Sequence, residues 1–435
     1  MLLVLASNIT TRLTYISRLL IRDMLGIEVQ FTTSGDEFSS YPGPKLCYAS
    51  RPMADGVFIS SHGLLGEDGI SRQEVKVTFI DGVPILFGHT NSMADITFDP
   101  LAAAFYMVSR YEEYLPHQKD KHGRFLATES LAWKGAFLDK PVLHLWADIL
   151  GRKLHQHYPG MTFRYPAYRY VPTIDIDHAF CYRARTLTRT LGGLGRDLLS
   201  GHFQEIMLRM QVLSGRSADP YDNYDFIRKV HEGSPENPLY FILFADYGGD
   251  DNNVSITSPS FHALLRDLDR KHGVGIHPSM ASNHSFDNLR SEFSALSRVL
   301  DRNVTISRQH FLHLSMPLTY QSLIRLGIND DYSMGFASHP GFRAGIAMPY
   351  RFFDLTSNSE TSLRVHPVSI MDVTMKDYLR LSTEECIQTI SSIIKTIKSV
   401  NGEFVSLWHN ESLGETRRWK EMRGVYEEMV RMASF

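Results

Sequence analysis

The 435-residue chain has only three cysteines, Cys47, Cys181 and Cys386, which are far apart and form no CxxC pair. An odd number at such spacing builds neither a disulfide framework nor a cysteine zinc site, so reduced thiols are expected. Positive charge is not in excess: 45 Lys plus Arg stand against 48 Asp plus Glu, for a net charge of -3 and a pI near 6.7. That balance gives no electrostatic reason to expect nucleic-acid binding. No uninterrupted apolar run reaches the roughly 18 residues needed to span a bilayer. The opening MLLVLASNITTR has a short apolar run and no basic stretch before it. It reads as a first buried strand rather than a signal sequence, and a cytoplasmic protein is expected.

Apolar mass, by contrast, is ample. Hydrophobic residues make up 43% and charged residues 21%, ordinary for a globular protein. A chain this long usually exceeds one core, so two domains are expected, divided within the aromatic- and proline-rich HYPGMTFRYPAYRY. Residues 1–164 read as a smaller α/β accessory domain. MLLVLAS is a strand, TRLTYISRLLIRDMLG a helix closed by glycine, and EVKVTFIDGVPILF a hairpin turning on Asp81-Gly82. Asp99 is placed to cap the helix that Pro100 begins. The scattered His62, His89, His117 and His122 read as structural or surface groups.

Residues 165–435 alternate strand and helix. The candidate strands are YVPTIDID, PLYFILFADY, GVGIHPS, NVTISRQH, GINDDYSM, LRVHPVSIMD and FVSLWHN, with amphipathic helical stretches between several of them. Such alternation implies a parallel sheet with helices outside, and seven strands imply an irregular (β/α) barrel with its site at the strands' C-terminal ends. Four strands finish in pairs at i, i+2: Asp175 and Asp177, His277 and Ser279, Arg308 and His310, Leu407 and His409. Each pair shares a strand face, so all can converge on one mouth. The two aspartates repel each other and call for cationic company, supplied by a divalent metal and by Arg308.

These residues resemble the motifs of NodB-type polysaccharide deacetylases, carbohydrate esterase family 4, over roughly residues 165–435. SRYEEYLPHQKDKHGRF, SRQHFL, DDYSMGFASHPGFRAG and VSLWHNESL are similar to a bacterial branch with an extra N-terminal domain. The resemblance implies a barrel hydrolase of carbon-nitrogen bonds that removes acetyl groups from sugars of a glycan or glycan precursor. In TIDID it makes Asp175 the general base and Asp177 a metal ligand. His277 in HPSMA matches one histidine of the second motif, but Ala281 stands where the second belongs. In the third motif Arg308 is kept while His310 replaces a proline. A site of Asp177, His277 and His310 is therefore expected, for zinc, with cobalt or nickel as other candidates. LWH matches the last motif, making His409 the general acid and Leu407 and Trp408 walls of the acetyl pocket. Asp331 or Asp372 is expected to hold His409 protonated.

A catalytically impaired barrel that binds glycans is the alternative, because loss of one motif histidine is what decay would look like; another C–N bond as target is a third reading. GFASHPGFRAGIAMPYRFFDL reads equally as a sugar-stacking loop or a packed crossover. RARTLTRTLGGLGRDLLSGHFQEIMLRMQVL reads as an external helical flap, with contact to an anionic membrane surface or lipid-linked glycan as the other option.

Overall fold

The computed structural model describes residues 1–53, 55–248, 251 and 253–434. Its first part is a parallel sheet in the order β2-β1-β3-β4, from β1 (Leu2–Ala6), β2 (Val29–Thr32), β3 (Lys45–Ala49) and β4 (Val57–Ser60). β1 is buried at every position, as a parallel strand covered on both faces must be. β5 (Thr78–Ile80) and β6 (Val83–Ile85) form the hairpin expected at Asp81-Gly82, both of which adopt positive φ. Asp99 caps helix Pro100–Val108 by accepting from the backbone N–H groups of Leu101 and Ala102.

The second part consists of β7 (Arg169–Ile176), β8 (Leu239–Ile242), β9 (Gly273–Ile276), β10 (Ile306–Ser307), β11 (Asp330–Met334), β12 (Tyr350–Asp354), β13 (Ser359–Met371) and β14 (Glu403–His409). Seven of these are parallel and run β11-β10-β9-β8-β7-β14-β13, and β11 pairs with β13 to close the ring. The chain thus has the expected irregular (β/α) barrel with a smaller α/β domain. Each of the seven candidate strands supplies one barrel strand. β12, which lies antiparallel on β13, comes from the glycine- and aromatic-rich stretch. Phe342, Tyr350, Phe352 and Phe353 of that stretch are buried, so it is a packed crossover rather than a presented aromatic loop.

One apolar core runs through both parts, from Leu2 to Ala433. A buried ion cluster crosses between them. Glu113 accepts from Arg110 Nε at 2.8 Å and from Arg343 Nη2 at 2.7 Å, and Arg110 also donates to the Arg343 carbonyl. Burial alone pushes the Glu113 carboxyl up, but the two guanidiniums override it and hold the group down at about 2.

Because that folded value lies below the ordinary carboxyl value, the stabilisation is complete above about pH 4.3 and is lost as pH falls toward 2. Glu113→Gln leaves buried Arg343 without its anion and Arg110 with Glu112 alone, at an expected cost of about 3 kcal/mol at neutral pH. Urea unfolding from pH 7 down to 3 checks both statements: the gap from wild type should narrow once the pH drops below about 4.

Candidate metal centre

β7 delivers the two aspartates: its pleat puts Thr173 and Asp175 on the same side, and Asp177 follows immediately after the strand ends at Ile176. Asp175 is buried, and its Oδ1 accepts from Arg308 Nη1 at 2.8 Å. Arg308 is itself fixed: Nη1 also donates to Thr173 Oγ1 at 2.7 Å, Nε donates to the Tyr332 carbonyl at 2.9 Å, and the guanidinium lies over the Phe241 ring. One carboxylate is thereby neutralised and held in orientation by protein alone.

Asp177 has no arginine. Its Oδ1 lies 3.3 Å from His277 Nε2 and its Oδ2 lies 3.5 Å from His310 Nε2. The opposite ring nitrogens are occupied: His277 Nδ1 is 2.6 Å from the Arg308 carbonyl, and His310 Nδ1 is 3.0 Å from Asp251 Oδ1. A carbonyl can only accept, so His277 Nδ1 carries a proton, and Nε2 is the ring nitrogen that faces Asp177 and can serve as a ligand. Asp177 Oδ1 is buried without a hydrogen-bond partner, an expensive condition for a carboxylate oxygen. A cation among the three residues would satisfy that oxygen. One ligand atom from each of Asp177, His277 and His310 lies within 4.8 Å of the others. The N2O donor set suits zinc or a similar borderline metal, and the carbonyl and carboxylate behind the histidines are the usual outer supports of such ligands.

The carboxylates and imidazoles of the site act strongly on one another. Burial raises Asp177, but His310 and then His277 and His409 hold it well below the usual carboxylate range. Burial lowers the His310 imidazole, while Asp177 and Asp251 push it up to about 9. His409 ends β14 directly opposite Asp175 in the strand register. Its Nδ1 lies 2.8 Å from Asp372 Oδ1, its backbone N–H donates to Asp372 Oδ2, and its Nε2 faces Asp177 at 3.8 Å. Burial lowers this imidazole too, but Asp372 outweighs it and, with Asp177 and Asp175, raises it to about 10.

Asp175, Asp177, His277, His310, Leu407 and His409 all line one cavity of about 250 Å³. Two predicted pocket residues do not. Trp408 points out of the barrel onto Tyr426 and Met429 because it alternates with Leu407 and His409 along β14. Asp331 is buried behind β10 and β11, accepting from Ser307 and Ser333, and the partner of His409 is Asp372. Ser279 turns to Glu292 rather than into the mouth. Ala281 opens the short helical turn Ala281–His284, and His310 reaches Asp177 from where the chain leaves β10 and bends through left-handed Phe311 and Leu312.

Sequence reasoning missed Asp251, whose signal was the acidic run in FADYGGDDNN after β8. It also missed the accessory domain's share. Arg124 donates to the Phe311 carbonyl and to Tyr378 Oη, each at 2.9 Å, and is anchored on Asp120. His122, read as a structural or surface group, stacks on Phe311 with ring centroids 4.8 Å apart. The residue next to His310 is thus gripped from the accessory domain, and Arg124, Phe311 and Tyr378 also wall an adjoining cavity of about 520 Å³.

Comparison with known proteins adds the following. Residues 2–159 match the model of DUF7033, a family of unknown function. No curated protein matches the chain. Among solved structures, the chain is similar to one from Mycobacterium smegmatis assigned as a polysaccharide deacetylase, at 15% identity and TM-score 0.39, covering 61% of this chain and 84% of that one. It is also similar to the PuuE allantoinase, at 10% identity and TM-score 0.34, covering 51% and 69%.

The outer support of His310 can be tested by itself. Asp251→Asn should weaken zinc binding roughly 10- to 100-fold in isothermal titration, with an unchanged circular dichroism spectrum. Unaltered affinity would remove Asp251 from the site.

Proposed function

We propose that the protein is a metal-dependent hydrolase that removes acetyl groups, in the first place N-acetyl groups, from a sugar of a glycan or glycan precursor. The observation that supports it most is the shared cavity of Asp175, the Asp177, His277 and His310 set, and His409. A catalytically impaired barrel has no reason to keep His310 on Asp177 where the motif histidine is absent, or to keep His409 paired with Asp372.

Asp177, His277 and His310 would hold the cation, which when bound supplies Lewis acidity toward an acyl carbonyl. Arg308 occupies Oδ1 of Asp175, so the carboxylate is oriented to take a proton from an attacking water. His409, charged through Asp372, delivers a proton from Nε2 to the departing nitrogen. An amine is too basic to leave unprotonated, so this proton decides whether the tetrahedral adduct goes forward. Leu243, Leu312, Met371 and Leu407 give the cavity an apolar wall suited to a methyl group. The adjoining cavity beside Arg124 and Tyr378 gives room for a neighbouring sugar.

Acetate release from N-acetylated oligosaccharides by the zinc-loaded protein tests the reading. His409→Ala should cut turnover of the amide by about 10²- to 10⁴-fold while changing hydrolysis of an activated acetyl ester far less, since that leaving group needs no proton. Equal losses on both substrates would contradict the role of His409. Zinc binding with no acetate release from any acetylated glycan would favour the glycan-binding alternative.

A further inference from the structure

The stretch after β7 folds as two helices, Leu187–Leu199 and Phe203–Leu213, joined by a tight turn. Its apolar residues recur at helical spacing, Leu187, Leu191, Leu194 and Leu198 on the first helix, and Phe203, Met207 and Met210 on the second. An ordinary surface hairpin turns such a stripe inward. Here the arrangement is inverted. The buried residues of these helices are Asp197, Arg209 and Val212, and Arg209 Nη2 pairs with Asp197 at 2.6 Å to tie the helices together. Gly193 permits that tie, since a Cβ there would come within 2.8 Å of Arg209 Nη1.

The stripes therefore face solvent. Of the nineteen large hydrophobic side chains exposed among the described residues, eight lie between 187 and 213, including Leu199 at 91% and Phe203 at 67% exposure. Such a concentration marks an interaction surface rather than scattered exposure. Charge indicates what covers it. Residues 183–216 carry six arginines and two acids, a net of +4 in a chain whose total is -3. Both acids are turned to internal partners, Asp197 to Arg209 and Glu205 to Tyr182, whereas Arg196 and Arg216 are exposed. An apolar stripe flanked by an excess of arginines is complementary to a bilayer with anionic headgroups. The helices, of 13 and 11 residues, are too short to cross a membrane and suited to lying in its interface.

We propose that residues 187–213 form a membrane-docking hairpin that lays its leucine, phenylalanine and methionine face into the headgroup region of an anionic bilayer. The hairpin is rooted at the barrel mouth. Asp219 accepts from the backbone of Cys181, Tyr182 and Arg183, and Arg189 donates to the carbonyl of Asn253, whose side chain binds Ala179, Ile176 and Leu243. Docking thus holds the cavity beside the lipid surface. That its substrate is a glycan carried on or close to a membrane rests on the deacetylase reading; the docking does not.

Flotation of the full chain with phosphatidylcholine vesicles, with and without one quarter phosphatidylglycerol, tests the docking. Binding is expected to the anionic vesicles and to weaken at least tenfold in Leu199→Glu/Phe203→Glu, at two exposed positions, with unchanged circular dichroism and zinc content. Arg196→Glu/Arg216→Glu should remove the preference for phosphatidylglycerol. Failure of the wild type to float, or flotation indifferent to all four changes, overturns the proposal. So does a concentration-dependent dimer abolished by Leu199→Glu/Phe203→Glu, which would make a second copy the cover. Vesicle binding without acetate release would leave the docking standing and remove only the deacetylase reading.

Discussion

Two carboxylates held on one strand face at the end of β7 have to be reconciled with burial. Like charges about 5 Å apart repel by roughly 3 kcal/mol even at an effective dielectric near 20. The fold answers this by giving each its own cation. Asp175 receives Arg308, carried from β10 across the barrel interior to a fully buried position. Asp177 receives only imidazoles, from His277, His310 and His409, and its Oδ1 is left without a hydrogen-bond partner. That asymmetry underlies the division of labour proposed above, in which the carboxylate already paired by protein handles a proton and the other holds a cation.

The rewired ligand also explains why the accessory domain packs where it does. His310 stands after a two-residue strand, and the backbone immediately beyond it is left-handed at Phe311 and Leu312. Such a turn needs outside support. Arg124 and His122 provide it, the first on the Phe311 carbonyl and the second on its ring. The Glu113 ion cluster fixes the same domain to the barrel a short distance along the chain. In this chain the N-terminal domain is part of the architecture of the candidate site rather than an appendage.

The barrel was legible in the sequence because each parallel strand is a short apolar run bounded by helix and turn signals. Most of the site was legible because strand ends put i and i+2 on one face. That rule worked fully for Asp175 and Asp177, and for Leu407 and His409. It failed for Trp408, placed in the pocket against the same alternation that placed its neighbours. His310 faces the site although β10 ends at Ser307, so there the pattern succeeded for a reason other than pleating. Asp331 was misassigned because a buried strand acid can be satisfied by neighbouring serines as well as by a histidine. Asp251 and Arg124 lie on loops without periodicity, and only the folded chain shows what they reach.

The central claim is that His310 stands in for the histidine absent at Ala281. Anomalous diffraction at the zinc absorption edge on crystals grown with zinc tests it most directly. A single strong peak bounded by Asp177, His277 Nε2 and His310 Nε2 is expected, with metal-nitrogen distances of about 2.0–2.1 Å. A peak at other histidines, or one held by Asp177 and His277 with His310 still turned to Asp251 and out of reach, would contradict it.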